Sequence, residues 1–150
     1  MSEYTRFNTN SVPQNGFRSQ LENTWATWLT KLNIAFVYEP PAGAYKPDFY
    51  LPELDVFLEC KGGYYSEKDL VRAEEIRLLT NMGQLLSING PSLESPMDYI
   101  KPDGTLTKAF ITTNEVTLRP ELVTAEADFL PNFGTKPSEH ILSLYKNASL

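Results

Sequence analysis

The segment DFYLPELDVFLECKGG, residues 48–63, limits the fold more than any other part of the chain. Two short apolar runs are separated by the turn-forming PEL, and Gly62 and Gly63 end the second run. This pattern predicts two strands, PDFYL and DVFLECK, joined as an antiparallel hairpin. Side chains alternate faces along a strand, so Glu59 and Lys61 project together while Cys60 points the other way, into packing. Antiparallel pairing across PEL brings Asp48 to the face that carries Glu59 and Lys61. A carboxylate among apolar neighbours is costly without a partner. Two carboxylates about 4 Å apart repel by roughly 1 kcal/mol in water and about 4 kcal/mol at an effective dielectric of 20, which raises one pKa unless a cation intervenes. A lysine offsets part of that repulsion. Mg2+ offsets more, because it accepts one or two carboxylates with a backbone carbonyl and keeps several waters.

The flanking segments set the hairpin in a larger sheet. Upstream, SQLENTWATWLTKL places Leu21, Trp25, Trp28, Leu29 and Leu32 on one helical stripe, with Ser19 and Glu22 in a capping-box pattern, and IAFVYE reads as a strand. Downstream, SEKDLVRAEEIRLLTNMG predicts a second helix that opens at Ser66 and stops at Gly83, and QLLSI predicts a fourth strand. A strand, a crossover helix and a strand yield a parallel pair, so the sheet is expected to be mixed, with hairpins at one side and parallel pairing at the other. Beyond Pro91 the pattern weakens: GTLTKAFITT and EVTLR form a candidate hairpin around TNE, and PSEHILSLYKN a candidate short helix. The fold class is α/β, a mixed central β-sheet flanked by α-helices. Residues 1–17 read as a loose polar leader, 18–90 as the core and 91–150 as an extension of the same domain serving assembly or target contacts.

Composition narrows the chemistry. A chain of 150 residues suits one domain. No apolar run approaches a membrane span, and the polar N-terminus lacks a secretory pattern, so the expected location is the cytoplasm, or the host-cell cytoplasm if the chain is phage-encoded. One cysteine, Cys60, excludes an internal disulfide and a multi-cysteine zinc site, and one histidine, His140, weakens a histidine base. Any catalysis must then run on carboxylates and lysine. A net charge of −6 argues against bulk coating of nucleic acid and leaves room for a local basic surface.

KPDFYLPELDVFLECK, a P-D followed after ten residues by E-x-K, resembles the catalytic signature of the PD-(D/E)XK nuclease superfamily. The order FRSQLENTWATWL, LNIAFVYEP, YKPDFYLPELDVFLECKG is similar to the small phage, mobile-element and bacterial endonuclease-like members, over residues 17–90. The resemblance implies a restriction-endonuclease-like core and a Mg2+-dependent endonuclease, with Mn2+ as a substitute ion, that hydrolyses DNA and leaves a 5′-phosphate. It implies that Asp48, Glu59 and the Cys60 backbone carbonyl bind the ion, that Lys61 is the catalytic lysine, and that Glu22 helps ligate metal or orients the lysine. Duplex DNA is the implied partner. One site per small subunit implies a homodimer or higher homo-oligomer for cutting both strands. Homing, restriction-like and junction-resolving roles all fit.

Each residue also has a plainer reading. Glu22 equally completes a capping box with Ser19. E-x-K on an exposed strand is an ordinary surface ion pair. Trp25 and Trp28 fit the core, and Glu39 a solvated strand end. Lys68 and Arg72, four apart on the second helix, suit phosphate contacts or a solvated face, as do Lys46, Tyr64 and Tyr65, and Gln84 is a candidate support for the site. The alternatives to the endonuclease are a non-catalytic nucleic-acid or protein-binding module on the same fold, and a ribonuclease.

Overall fold

The computed structural model describes residues 9–40, 45–63, 65–88, 90–91 and 96–125. Helix α1 (Gln20–Lys31) begins where Ser19 accepts a hydrogen bond from the Glu22 backbone N–H at 3.1 Å. Strands β1 (Val37–Tyr38), β2 (Phe49–Leu51) and β3 (Val56–Cys60) follow, then helix α2 (Glu67–Thr80) and strands β4 (Gly83–Ser87), β5 (Met97–Ile100), β6 (Leu106–Thr113) and β7 (Pro120–Ala125). All seven strands form one sheet in chain order. The chain is therefore α/β with a mixed sheet, and no helix among the described residues is long and apolar enough to cross a membrane.

The helices cover opposite faces. Trp25, Ala26 and Leu29 of α1 pack on Phe49, Leu51, Val56, Leu58 and Leu85. Leu70 and Ala73 of α2 pack with Leu86 and Ile100, and Ile76 packs with Val37, Tyr50 and Phe57. The alternation along β3 thus sends Val56, Leu58 and Cys60 towards α1, and Phe57 and Glu59 towards α2.

Several details correct the sequence-based expectations. Among the described strands only β3 and β4 run parallel, and they lie in the middle of the sheet with antiparallel strands on both sides, because β5 to β7 extend it as a meander. Helix α2 ends at Thr80, where Asn81 adopts the left-handed conformation (φ 58°), and Gly83 opens β4 instead. β7 is PELVTA, not EVTLR: the Asn114 side chain accepts from the backbone N–H groups of Val116 and Thr117, both at 2.8 Å, and folds that segment into a turn. Part of the leader is packed, since Asn10 exchanges hydrogen bonds with the Phe36 backbone at 2.7 and 3.0 Å and Phe17 meets Tyr38 edge-on. The candidate helix PSEHILSLYKN, with His140, lies outside the described residues.

Candidate functional site

The hairpin brings the two acids together. In the β2–β3 register Phe49 lies opposite Leu58, so one step further Asp48 lies opposite Glu59, and their carboxyl groups share a hydrogen bond. Asp48 is buried, and its Oδ2 accepts the Cys60 backbone N–H at 2.8 Å. Asp48 also anchors the neighbouring strand, because its carbonyl accepts the Glu39 N–H at 2.9 Å. Burial raises the pKa of both acids. At Asp48 the Cys60 N–H and the Glu59 hydrogen bond partly oppose that rise; at Glu59 the Asp48 charge and the shared hydrogen bond add to it. The repulsion foreseen in the sequence thus shows in the rise at Glu59, where the Asp48 charge adds to burial.

Charged groups on and just before α1, and on α2, flank this pair. Arg18, just before α1, places Nη2 3.6 Å from Asp48 Oδ1 and Nε 3.3 Å from Glu39 Oε2. Glu22, buried on α1, accepts the Tyr38 hydroxyl, and its charge opposes ionisation of Asp48. Its backbone serves the helix cap while its side chain serves the strand end. Burial, reinforced by the Glu22 hydrogen bond, pushes the Tyr38 hydroxyl up to about 12. From α2, Arg72 is half-buried and its charge eases ionisation of Glu59.

Lys61 extends beyond β3, with its ammonium 3.3 Å from Asp69 Oδ2. Asp69 occupies the third position of the α2 capping box, accepting from the Ser66 N–H at 2.9 Å. Against the cost of burial, the Ser66 hydrogen bonds and then Lys61 hold Asp69 below the usual carboxylate range. Arg18 and Asp69 were absent from the sequence-based candidates. Two signals mark them: Ser19 as a helix cap beside the YEP strand end, and the Ser66-x-x-Asp69 box directly after the glycine pair.

The remaining candidates separate. Lys46 and Lys68 are exposed. Tyr64 lies outside the described residues. Tyr65, grouped above with surface contacts, is instead core, 3% exposed, with no hydrogen-bond partner for its hydroxyl among the described residues. The buried Gln84 donates to the Met82 carbonyl at 3.1 Å and so secures the start of β4. Trp25 is buried and Trp28 packs against the same core. Cys60 also packs against that core, and burial pushes its thiol up.

Among the described residues no three or more His, Cys, Asp or Glu side chains are grouped so as to hold a metal ion. The acids that could hold a hard cation are Asp48 and Glu59, brought together at the end of the hairpin. Two carboxylates and waters suffice for Mg2+, so this set fits the ion. Family models, curated proteins and solved structures provide no match to the chain.

Proposed function

We propose that the protein is a Mg2+-dependent endonuclease that hydrolyses DNA phosphodiester bonds on a restriction-endonuclease-like core. The observation that carries this reading is the meeting of Asp48 and Glu59 across the hairpin, with Lys61 directly following β3. Asp48, Glu59 and the Cys60 carbonyl would hold the ion. Bound there, Mg2+ supplies charge stabilisation at the phosphate and a water of lowered pKa, and Mn2+ supplies the same chemistry.

The chain's own residues provide orientation and charge. The Cys60 N–H fixes one oxygen of Asp48 and leaves the other for ligation. Lys61, steered by Asp69, presents its ammonium to charge developing on phosphate oxygens. The Tyr38–Glu22 hydrogen bond stiffens the side of the site formed by α1 and β1. Duplex DNA is the proposed substrate, and a homodimer the smallest assembly that cuts both strands.

A cleavage assay with Mg2+ on supercoiled, branched and single-stranded DNA, with an RNA arm in parallel, tests the reading. Cleavage of DNA that falls by roughly a hundredfold or more in Lys61→Ala and Asp48→Asn, with the fold retained, supports it. A preference for RNA points to a ribonuclease. The second reading, a non-catalytic binding module, draws on Asp48 and Lys61 both already having opposite-charge partners in Arg18 and Asp69. Nucleic-acid or protein binding unaffected by either substitution, with no cleavage under any divalent ion, favours that module.

A further inference from the structure

The two oxygens of Asp48 have different partners among the donors. Oδ2 is fixed by the Cys60 backbone N–H at 2.8 Å, whereas Oδ1 faces the Arg18 guanidinium at 3.6 Å. The main chain at Arg18 is anchored: its N–H donates to the Tyr38 hydroxyl at 3.2 Å, Phe17 packs on Tyr38, and Ser19 caps α1. The side chain is 62% exposed, so a long cation on a fixed base rests against a nearly inaccessible carboxylate while remaining open to solvent. The arginine end of this pair is hydrated, so the guanidinium itself loses little by leaving. The cost falls on Asp48, which keeps the Cys60 N–H but loses its neighbouring cation, so a replacement cation at Oδ1 is favoured.

We infer that Arg18 is a placeholder cation: it balances Asp48 in the metal-free protein, yields Oδ1 to an incoming divalent ion, and then turns its guanidinium onto a phosphate of the bound DNA. This rests on the divalent-cation reading above. The guanidinium suits the second task because its planar donors match phosphate oxygens two at a time and its charge is permanent. Glu39, 3.3 Å from Nε, keeps the side chain at the rim of the site between the two positions.

The test uses the full chain and Arg18→Gln. Ion affinity is measured by calorimetric titration of Mn2+ without DNA, and duplex binding is measured in Ca2+ across a salt series. Loss of the competing charge should tighten Mn2+ binding by roughly two- to fivefold, the range expected for an exposed ion pair. Duplex affinity should fall, and the salt slope should drop by about one. Arg18→Lys, which keeps the charge, should return Mn2+ affinity to the wild-type value. An Arg18→Gln protein with unchanged or weaker Mn2+ affinity, or an unchanged salt slope, overturns the inference, as does Arg18→Lys binding Mn2+ as tightly as Arg18→Gln. A wild-type protein that takes up no divalent ion overturns the cation-dependent reading as well; normal uptake by wild type with no change in Arg18→Gln overturns the placeholder role alone.

Discussion

Asp48 and Glu59 share a hydrogen bond across the β2–β3 hairpin where Asp48 is only 3% exposed. Burial lifts Asp48 up to about 6 and Glu59 up to about 9, the latter helped by the Asp48 charge. An acid whose folded pKa lies above its unfolded value binds its proton more tightly when folded. The resulting stabilisation is fully present below the unfolded range near about pH 4 and is lost as pH rises through the folded values. The melting temperature should therefore decline from about pH 4 towards about pH 9. Glu59→Gln, which keeps a hydrogen-bond donor without a titrating group, should flatten that decline and be more stable than wild type at the alkaline end. If the pair holds Mg2+ as proposed, the ion would favour the ionised carboxylates and should raise the wild-type melting temperature most at high pH. Thermal melts across this range, with and without Mg2+, are the check; equal slopes for the two proteins would remove the pair as their cause.

Asp69 has two roles that substitution can separate. It accepts from the Ser66 N–H at 2.9 Å in the α2 cap, and it holds Lys61 at 3.3 Å. Ser66→Ala removes the acceptor for the Asp69 N–H and should cost about 1 kcal/mol of stability with little change in cleavage. Asp69→Asn keeps an oxygen for the cap but removes the charge facing Lys61, so cleavage should fall roughly tenfold, as for a lost positioning contact, with a smaller stability loss. Denaturant titration alongside the cleavage assay distinguishes them. Equal activity in Asp69→Asn and wild type would leave Asp69 as a cap only.

The parts of this fold that were legible in the sequence are those where periodicity and punctuation agree. The stripe through Trp25 and Leu29 marked α1, and PEL between two apolar runs marked the β2–β3 hairpin with the relative placement of Asp48 and Glu59. β5 was hidden because its four residues include Asp98, a charge at 0% exposure whose compensating partner, Lys108, lies on the next strand. EVTL carries strand-forming residues, yet side-chain hydrogen bonds from Asn114 and the left-handed Leu118 (φ 60°) outweigh that propensity. Arg18 was obscured for a related reason. Ser19 marks the helix start beside it, but its significance lies in reaching Glu39 and Asp48, contacts made across the fold that the cap alone does not encode.

Gly83 opens β4 under the ring of Tyr99. A Cβ at this position would lie 2.6 Å from Tyr99 Cε1 and 2.7 Å from its hydroxyl oxygen, too close for either group to stay in place. Gly83→Ala should therefore destabilise the protein by about 1–3 kcal/mol through overpacking. Adding Tyr99→Leu, which removes the ring, should recover part of the loss relative to Tyr99→Leu alone. A double-mutant cycle from chemical denaturation measures the coupling, and strictly additive costs would show that the ring is not the obstacle.

Asp98 and Lys108 sit directly opposite each other on β5 and β6, with Nζ 2.5 Å from Oδ1. Asp98 is fully inaccessible and the Lys108 side chain is 19% exposed, so this pair is dehydrated, unlike the exposed Arg18 contacts. A charge left alone there would keep its desolvation cost and lose the attraction that offsets it. Lys108→Met should accordingly destabilise the fold by about 3–5 kcal/mol. Removing both charges is a different matter, because neither is then stranded: Asp98→Leu with Lys108→Met should regain most of that loss. The comparison separates the worth of the pair from the cost of half of it. If Lys108→Met melts with wild type in urea, Asp98 draws its compensation from its other neighbours, and the cross-strand contact is not what keeps a charged strand inside this sheet.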